Sequence, residues 1–471
     1  MDKDLMSRQQ TREQIAAAAN AFEELKRFDQ EKIDRITAAV AKAGEQNAEL
    51  LGRMACEETG FGNATDKAEK NRFAARRVYE AIRDMKTVGI LRKEERLWEI
   101  GVPVGVIAGI VPSTNPTSTV IYKTMIALKA GSPIVFSPHP HALHCTAKAV
   151  ELVAQAAYAA GCPKGAVGCI PTPTMDAVNE LLRHPETRLI LATGGAGMVR
   201  AAYSSGKPAI GVGAGNGPAY IHRSADIAQA VAHIIRSKTF DNGTVCASEQ
   251  SVVVEECCAE RVRAEFSRQG AYFLSAQEAD AVAKLLLRCD GSINPKVVGK
   301  TAAQVAKMAG LTAVPESTSV LLARETEAGP TRPYSREKLC PILALFVEKN
   351  EDTILSRVCE VLRGEGAGHT FVIHAEDEAV IRRFALQVPV SRFLVNTPAS
   401  LGGIGATTEL FPALTLGCGA VGGSSSSNNI GPLDLINIRR VAWGTEKSDA
   451  RELSEEALIE AVTREILKKL Q

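Results

Sequence analysis

The stretch 102–137, VPVGVIAGIVPSTNPTSTVIYKTMIALKAGSPIVFS, decides how this chain folds. Val102–Val111 is apolar and rich in β-branched residues, the pattern of a buried strand. Ile121–Ala130 reads as a helix, and Ile134–Phe136 as a second short buried strand. A strand, a helix and a strand, with no polar face on either strand, describe a parallel pair joined by a crossover helix and covered on both sides. In such sheets ligands gather at the carboxyl ends of the strands. The segments after Val111, Phe136 and Ala192 are therefore the ones to inspect.

The alternation continues outward from this stretch. Downstream, 142–161 and 174–183 read as helices, and Val167–Ile170 and Leu189–Ala192 as strands. A second alternating block starts near 225, with helices at 225–238, 259–268, 276–289, 301–309, 352–363 and 376–387. Its strands fall at Gln250–Val254, 318–323, 342–347, Thr370–His374 and Phe393–Asn396. Upstream, 7–57 and 64–86 read as amphipathic helices. Two α/β blocks in one chain predict two lobes with a cleft between them. The tail stands apart: a polar linker over 445–453, then an amphipathic helix over 454–471 with the stripe Leu458/Ile459, Val462, Ile466 and Leu470. Ser454 suits its N-cap, and Glu455, Glu456, Lys468 and Lys469 suit the helix dipole.

Composition narrows the function classes. The 471 residues are 45% apolar and 23% charged, with 55 basic against 54 acidic side chains. A net charge of +1 gives no electrostatic footprint for nucleic acid or an anionic membrane. No apolar run approaches the ~20 residues that span a bilayer, and the first residues, MDKDLMSRQQTREQ, lack the plan of a signal peptide. Eleven irregularly spaced cysteines without a CxxC pair predict reduced thiols in a cytoplasmic setting.

Six segments carry candidate chemistry. In FDNGTVCASEQ (240–250), Cys246 follows a tight Asn242-Gly243 turn among polar residues. A lone cysteine is ordinarily a small buried hydrophobe, but here a thiolate nucleophile that forms a reactive thioester is the competing reading. In VPSTNPT (111–117), two prolines stiffen the end of the first strand, and Asn115 is either a turn residue or an amide aimed at a developing oxyanion. The glycine sets TGGAGM (193–198) and GVGAGNG (211–217) let a dinucleotide approach the backbone, or simply make turns; neither is GxGxxG. Glu337, in REKLCP (336–341), precedes a strand, where surface exposure is the ordinary outcome. His369, in GEGAGHT (364–370), is an acid–base candidate or a hydrogen-bonded structural histidine. His139, His141 and His144 in FSPHPHALH have no accompanying carboxylate or cysteine set, so no metal site is expected.

Together these motifs resemble the aldehyde dehydrogenase superfamily, in particular its coenzyme-A-acylating branch and the aldehyde-oxidising half of bifunctional aldehyde–alcohol dehydrogenases. GIVPSTNPTSTVIYK, VFSPHP, ILATGGAGMVRAAYSSGKPAIGVGAGN, KTFDNGTVCASEQSVVV, EKLCPIL, GHT and TLGCG follow in the family's order from about residue 100 to 440. The resemblance implies two Rossmann-like parallel-sheet lobes and a small β oligomerisation flap. The expected boundaries are a cofactor lobe over 1–235, with 95–105 lent to the flap, a catalytic lobe over 236–430 and a flap strand over 431–444. It implies that Cys246 is the nucleophile and that Asn115 and the Cys246 N–H form the oxyanion hole. Ser113, Ser137, Pro138, His139, Thr193, Gly194, Gly195, Met198 and Gly213 would line the dinucleotide, with Glu337 on the nicotinamide ribose. His369 is assigned to assist thiol deprotonation.

Two departures from the wider superfamily bear on the reaction. Hydrolytic members carry a Glu-Leu-Gly-Gly segment whose glutamate activates water; the matching stretch here, GVGAGN (211–216), has no carboxylate. The acyl-enzyme should then survive until coenzyme A, which ionises far more readily than water, takes the acyl group. Pro138-His139 stands where many relatives have Lys-Pro, so NADP stays open beside NAD. The expectation is reversible NAD-dependent oxidation of a small aldehyde, acetaldehyde or propionaldehyde, to its acyl-CoA by a homodimer or tetramer. The alternatives are succinate semialdehyde or sulfoacetaldehyde as substrate, with Ser424–Asn429 receiving a charged tail; a non-acylating or acyl-phosphate enzyme; and a non-catalytic scaffold. The tail resembles the peptides that carry enzymes into bacterial microcompartments through shell proteins, or is a helix docking on its own oligomer.

Overall fold

The computed structural model describes residues 2–289, 291–445 and 455–470, which form three sheets. The hairpin β1 (Gly89–Lys93) and β2 (Leu97–Pro103) precedes a parallel sheet of β3 (Val106–Ile110), β4 (Ile134–Ser137), β5 (Val167–Cys169), β6 (Thr187–Thr193) and β7 (Ala209–Val212). A larger parallel sheet holds β8 (Gly217–Ile221), β9 (Glu249–Glu255), β10 (Tyr272–Phe273), β11 (Leu321–Arg324), β12 (Ile342–Glu348), β13 (Gly368–His374) and β14 (Val390–Val395). Finally β15 (Ile436–Ala442) returns to pair antiparallel with β2, closing a three-stranded flap. Strand β2 falls within 95–105 and β15 within 431–444, whereas β1 lies outside both segments.

Strand order explains where the cleft lies. In the first sheet the order is β5-β4-β3-β6-β7, so the chain winds one way from β3 and the other way from β6. The crevice at such a switch point lies beyond the carboxyl ends of the two central strands, here at Val111–Asn115 and Thr193–Gly195. The second sheet, in the order β10-β11-β12-β9-β8-β13-β14, brings the amino ends of β8 and β9 to the same place. Both sheets are covered on both faces: β3 and β9 are buried at every position. One core runs from the N-terminal helices through β3 and β4 to Val245, Ala247, Leu416 and Ile430, joining the lobes.

Several expected bounds shift for local reasons. The helix expected over 7–57 is three helices, Lys3–Leu25, Gln30–Gln46 and Ala48–Thr59. Asp29 caps the second by accepting the Lys32 N–H. The helix expected over 64–86 is regular only through Arg72; a π turn over Phe73–Arg77 separates it from Val78–Ile82. Gly105, at φ 110°, breaks the expected strand 102–111 into β2 and β3. Strands β7 and β8 escape the sequence reading, because glycines interrupt their apolar runs. As a result the chain passes to the second sheet between Val212 and Gly217, ahead of the boundary expected at 235. The tail forms a helix over Glu455–Lys469 with no buried residue; its expected cap Ser454 and most of the 445–453 linker lie outside the described residues. Among the described residues no helix is long and apolar enough to cross a membrane.

Candidate active site

The cleft holds a cavity of about 300 Å³. Cys246 lines it, just before β9, on a loop with an unusual backbone. Asp241, Asn242 and Gly243 have φ of 47°, 51° and 77°, three successive left-handed residues. Only glycine adopts that region freely, so the sequence-level turn at Asn242-Gly243 extends one residue further back. The first of the three is clamped. Asp241 is fully buried; its Oδ2 accepts from Lys70 Nζ at 2.5 Å and Lys67 Nζ at 3.0 Å, and its Oδ1 from the Asn63 N–H at 2.9 Å. The two ammonium groups hold its carboxyl below the ordinary range against the opposing effect of burial. Neither lysine was singled out from sequence; the available signal was two lysines three apart on one face of a helix, flanking Ala68.

Asn115 faces Cys246 across the cavity. It precedes the helix Pro116–Lys129, which Pro116 starts, yet its side chain makes no capping bond. Instead its Oδ1 accepts from Lys70 Nζ at 2.6 Å, and its Nδ2 donates weakly to the Thr244 carbonyl at 3.3 Å and to Thr114 Oγ1 at 3.2 Å. The amide's donor end is therefore turned to the loop that carries Cys246.

Of the expected dinucleotide residues, Ser113, His139, Thr193, Gly194, Gly195 and Gly213 line the cavity, and so does Glu337. Ser137 and Pro138 are buried beneath it, and Met198 packs half-buried behind Gly194, which its side chain approaches. The wall fits a dinucleotide on its own terms. Thr193 Oγ1 is buried without a partner. A Cβ on Gly195 or Gly213 would project into open space. Gly195 caps the helix Ala196–Tyr203 with no side-chain bond, and the Met198 N–H already donates to the Gly195 carbonyl, so the Ala196 and Gly197 amides are the ones left to meet a phosphate.

The second glycine set meets Cys246. A Cβ on Gly215 would lie 1.8 Å from the Cys246 carbonyl oxygen, so only glycine fits there. The Gly215 N–H donates to Glu337 Oε1 at 2.9 Å. Glu337 is the sole carboxylate among the described residues lining the cavity. Burial, and then the nearby Glu365, push its carboxyl up to about 8. Burial, then Glu337 and Cys418, push the Cys246 thiol up to about 12, while the Arg392 guanidinium opposes them. His369 does not line the cavity. It is fully buried on β13, with Nδ1 at 2.9 Å from Thr370 Oγ1 and Nε2 unpartnered. Burial, then Arg392, push it down to about 3, so it is neutral. Ser424–Asn429 lies apart from this cavity: Ser424 and Ser425 bond back to Gly211 and Ala209.

The sequence profile described as "Aldehyde dehydrogenase family" matches residues 3–273. The bifunctional aldehyde-alcohol dehydrogenase of Escherichia coli (strain K12) is 45% identical over 92% of this chain and 49% of its own length. The chain thus spans about half the length of that relative. A succinate-semialdehyde dehydrogenase (acetylating) of Clostridium kluyveri is 36% identical over 92% of this chain and 95% of its own. Among solved structures, an acetylating aldehyde dehydrogenase from Geobacillus thermoglucosidasius shares 51% identity at a TM-score of 0.93, covering 96% of this chain and 100% of that one. Two propionaldehyde dehydrogenases superpose at TM-scores of 0.83. One, from the Clostridium phytofermentans fucose utilisation bacterial microcompartment, is 29% identical and covers 93% of this chain and 98% of its own. The other, from Rhodopseudomonas palustris with bound CoA and an acylated cysteine, is 27% identical and covers 92% of this chain and 97% of its own. Because the family profile covers more than half of the sequence, and a relative matched along nearly its whole length is well above 30% identical, the chain belongs to the aldehyde dehydrogenase family.

Proposed function

We propose that this protein oxidises a small aldehyde to its acyl-CoA, reversibly, through a thioester on Cys246. The observation that carries the reading is the segment Gly211–Asn216. It packs on the nucleophile without a carboxylate, and at Gly215 it has no room for any side chain. A hydrolytic enzyme needs a base there to activate water; a thiol acceptor does not. The relatives named as acetylating, and the one holding CoA beside an acylated cysteine, support the same reading.

The residues divide the work as follows. The Cys246 thiolate adds to the aldehyde carbonyl. The Asn115 amide N–H and the Cys246 main-chain N–H donate to the oxyanion of the hemithioacetal. A nicotinamide dinucleotide, NAD or NADP, supplies the hydride acceptor when bound. Thr193, Gly194, Gly195, Gly213 and the free amides after Gly195 would hold it, with Glu337 near its ribose. The Cys246 thioester then transfers its acyl group to the sulfur of coenzyme A, whose thiol proton passes to the departing Cys246 sulfur, with His369, set back from the cavity lining, in an assisting role. Thr370 occupies Nδ1 of that ring, which leaves Nε2 as the atom for that role. Acetaldehyde or propionaldehyde is the proposed substrate, since Ile404, Leu414 and Leu416 line the same cavity as Cys246 and suit an apolar acyl chain. The test is reduction of NAD by acetaldehyde with and without coenzyme A. Strict dependence on coenzyme A, and its loss in Cys246→Ala with melting temperature unchanged, are expected; equal rates without coenzyme A would overturn the acylating reading.

For the assembly we infer a homodimer or tetramer joined through the flap, and a tail that binds microcompartment shell proteins. The stripe Leu458, Ile459, Val462, Ile466 and Leu470 is 53–78% exposed, with nothing among the described residues covering it.

A further inference from the structure

We propose that Lys70 is a positioning residue that sets which end of the Asn115 amide faces the reacting carbonyl. The inference rests on the acylating reading above. A primary amide can be turned end for end at little steric cost, and only one orientation offers N–H donors to an oxyanion. The other presents a carbonyl lone pair and repels it. Something must therefore choose.

Lys70 makes that choice through a full set of bonds. Its ammonium has three protons and three acceptors: Asn115 Oδ1 at 2.6 Å, Asp241 Oδ2 at 2.5 Å and Thr244 Oγ1 at 3.0 Å. Its side chain is only 4% exposed, and the Phe240 ring lies 5.6 Å from the ammonium. Flipping the Asn115 amide would set its NH2 against an ammonium that can only donate. It would also set Oδ1 against the Thr244 carbonyl, which can only accept. Both clashes fall in a buried site, where unmatched polar groups cost most. The charge is anchored from behind by Asp241, on the same left-handed loop that carries Cys246. One acidic side chain thus ties the nucleophile loop to the oxyanion donor. Lys67 provides an internal comparison. It shares Asp241, is equally buried and bonds the Thr114 carbonyl at 2.9 Å, but it does not touch Asn115.

The decisive measurement is the first-turnover rate of NAD reduction by acetaldehyde, which reports thioester formation alone, in a double-mutant cycle. Lys70→Met should slow this step by about 10–10²-fold, approaching the loss of an oxyanion donor, with the dissociation constant for NAD unchanged. In an Asn115→Ala background the same substitution should cost less than about threefold, because a residue acting only through Asn115 has nothing left to act on. Lys67→Met, which removes an equally buried charge, should stay within about threefold of wild type even where it lowers the melting temperature. If Lys70→Met does not accumulate as folded protein, Lys70→Gln replaces it; its single neutral donor should give a smaller loss that is likewise absent in the Asn115→Ala background. Additive losses in the cycle, or a Lys67→Met enzyme as slow as Lys70→Met, would overturn the assignment. A wild-type enzyme that makes no acyl-CoA, or a Cys246→Ala variant that still does, would instead sink the reading of the site itself.

Discussion

The thiol of Cys246 begins from an unfavourable state, pushed up to about 12 by burial and by acidic neighbours. Glu337 is the neighbour that can be switched. Its carboxyl, raised to about 8, is neutral below that pH and charged above it. A charged Glu337 opposes the thiolate and a neutral one does not, so the size of its effect depends on pH. Glu337→Gln should leave the rate of Cys246 alkylation by iodoacetamide unchanged at pH 7 and raise it several-fold at pH 9, read by mass spectrometry of the Cys246 peptide. Equal rates at both pH values would remove Glu337 from the thiol's environment. In the proposed reaction His369 belongs to the acyl-transfer half. As a neutral ring with a free Nε2 but low basicity, it should assist acyl transfer modestly. His369→Asn is expected to preserve the first turnover of NAD reduction and to slow steady-state acyl-CoA formation about tenfold, within the range of acid–base assistance. A slowed first turnover would argue for a structural role instead.

Among the elements, the loop Gly213–Asn216 and the helix over 64–72 do the most with the least sequence signal. Gly215→Ala must move either the loop or the Cys246 carbonyl, which its Cβ would overlap. Overpacking of this kind costs about 1–3 kcal/mol, and the displacement falls on the nucleophile, so acyl-CoA formation should drop more than a hundredfold while dinucleotide binding, measured by fluorescence, persists. What could be read in advance follows from distance along the chain. The turn before Cys246 was legible because Asn242 and Gly243 are local, and the parallel sheets because their strands are continuous apolar runs. Lys67 and Lys70 were not legible, because their meaning comes from Asp241, a residue far along the chain that the fold brings against them. The π turn at Phe73–Arg77 was hidden for a related reason. It lets one helical run present Lys67 and Lys70 to Asp241 and then Val78 and Ile82 to the core, two faces that a single regular period does not reconcile. His369 and the glycine sets were legible as types of residue, but which of them reach the cavity was decided by the switch-point geometry of β3 and β6.

At the scale of the whole molecule, the tail is separable. No residue of Glu455–Lys469 is buried, so deleting 445–471 should leave the melting temperature and the acyl-CoA rate unchanged while ending co-purification with shell proteins. Undiminished co-purification would assign that contact elsewhere. The flap is expected to behave oppositely. Trp98 and Trp443 meet edge to face at 5.1 Å, joining β2 to the end of β15, and a charged substitution at Trp98 should lower the oligomeric mass seen by light scattering. The distribution of sulfur has a practical consequence as well. The eleven cysteines are all unpaired; Cys257 and Cys289 are exposed, whereas Cys246 sits in the cleft with a thiol reluctant to ionise. During storage in air, oxidation should therefore begin at the surface. Covalently cross-linked pairs would appear on a non-reducing gel while the enzyme still turns over, and a count of reactive thiols would report ageing of the preparation long before it reported loss of the nucleophile.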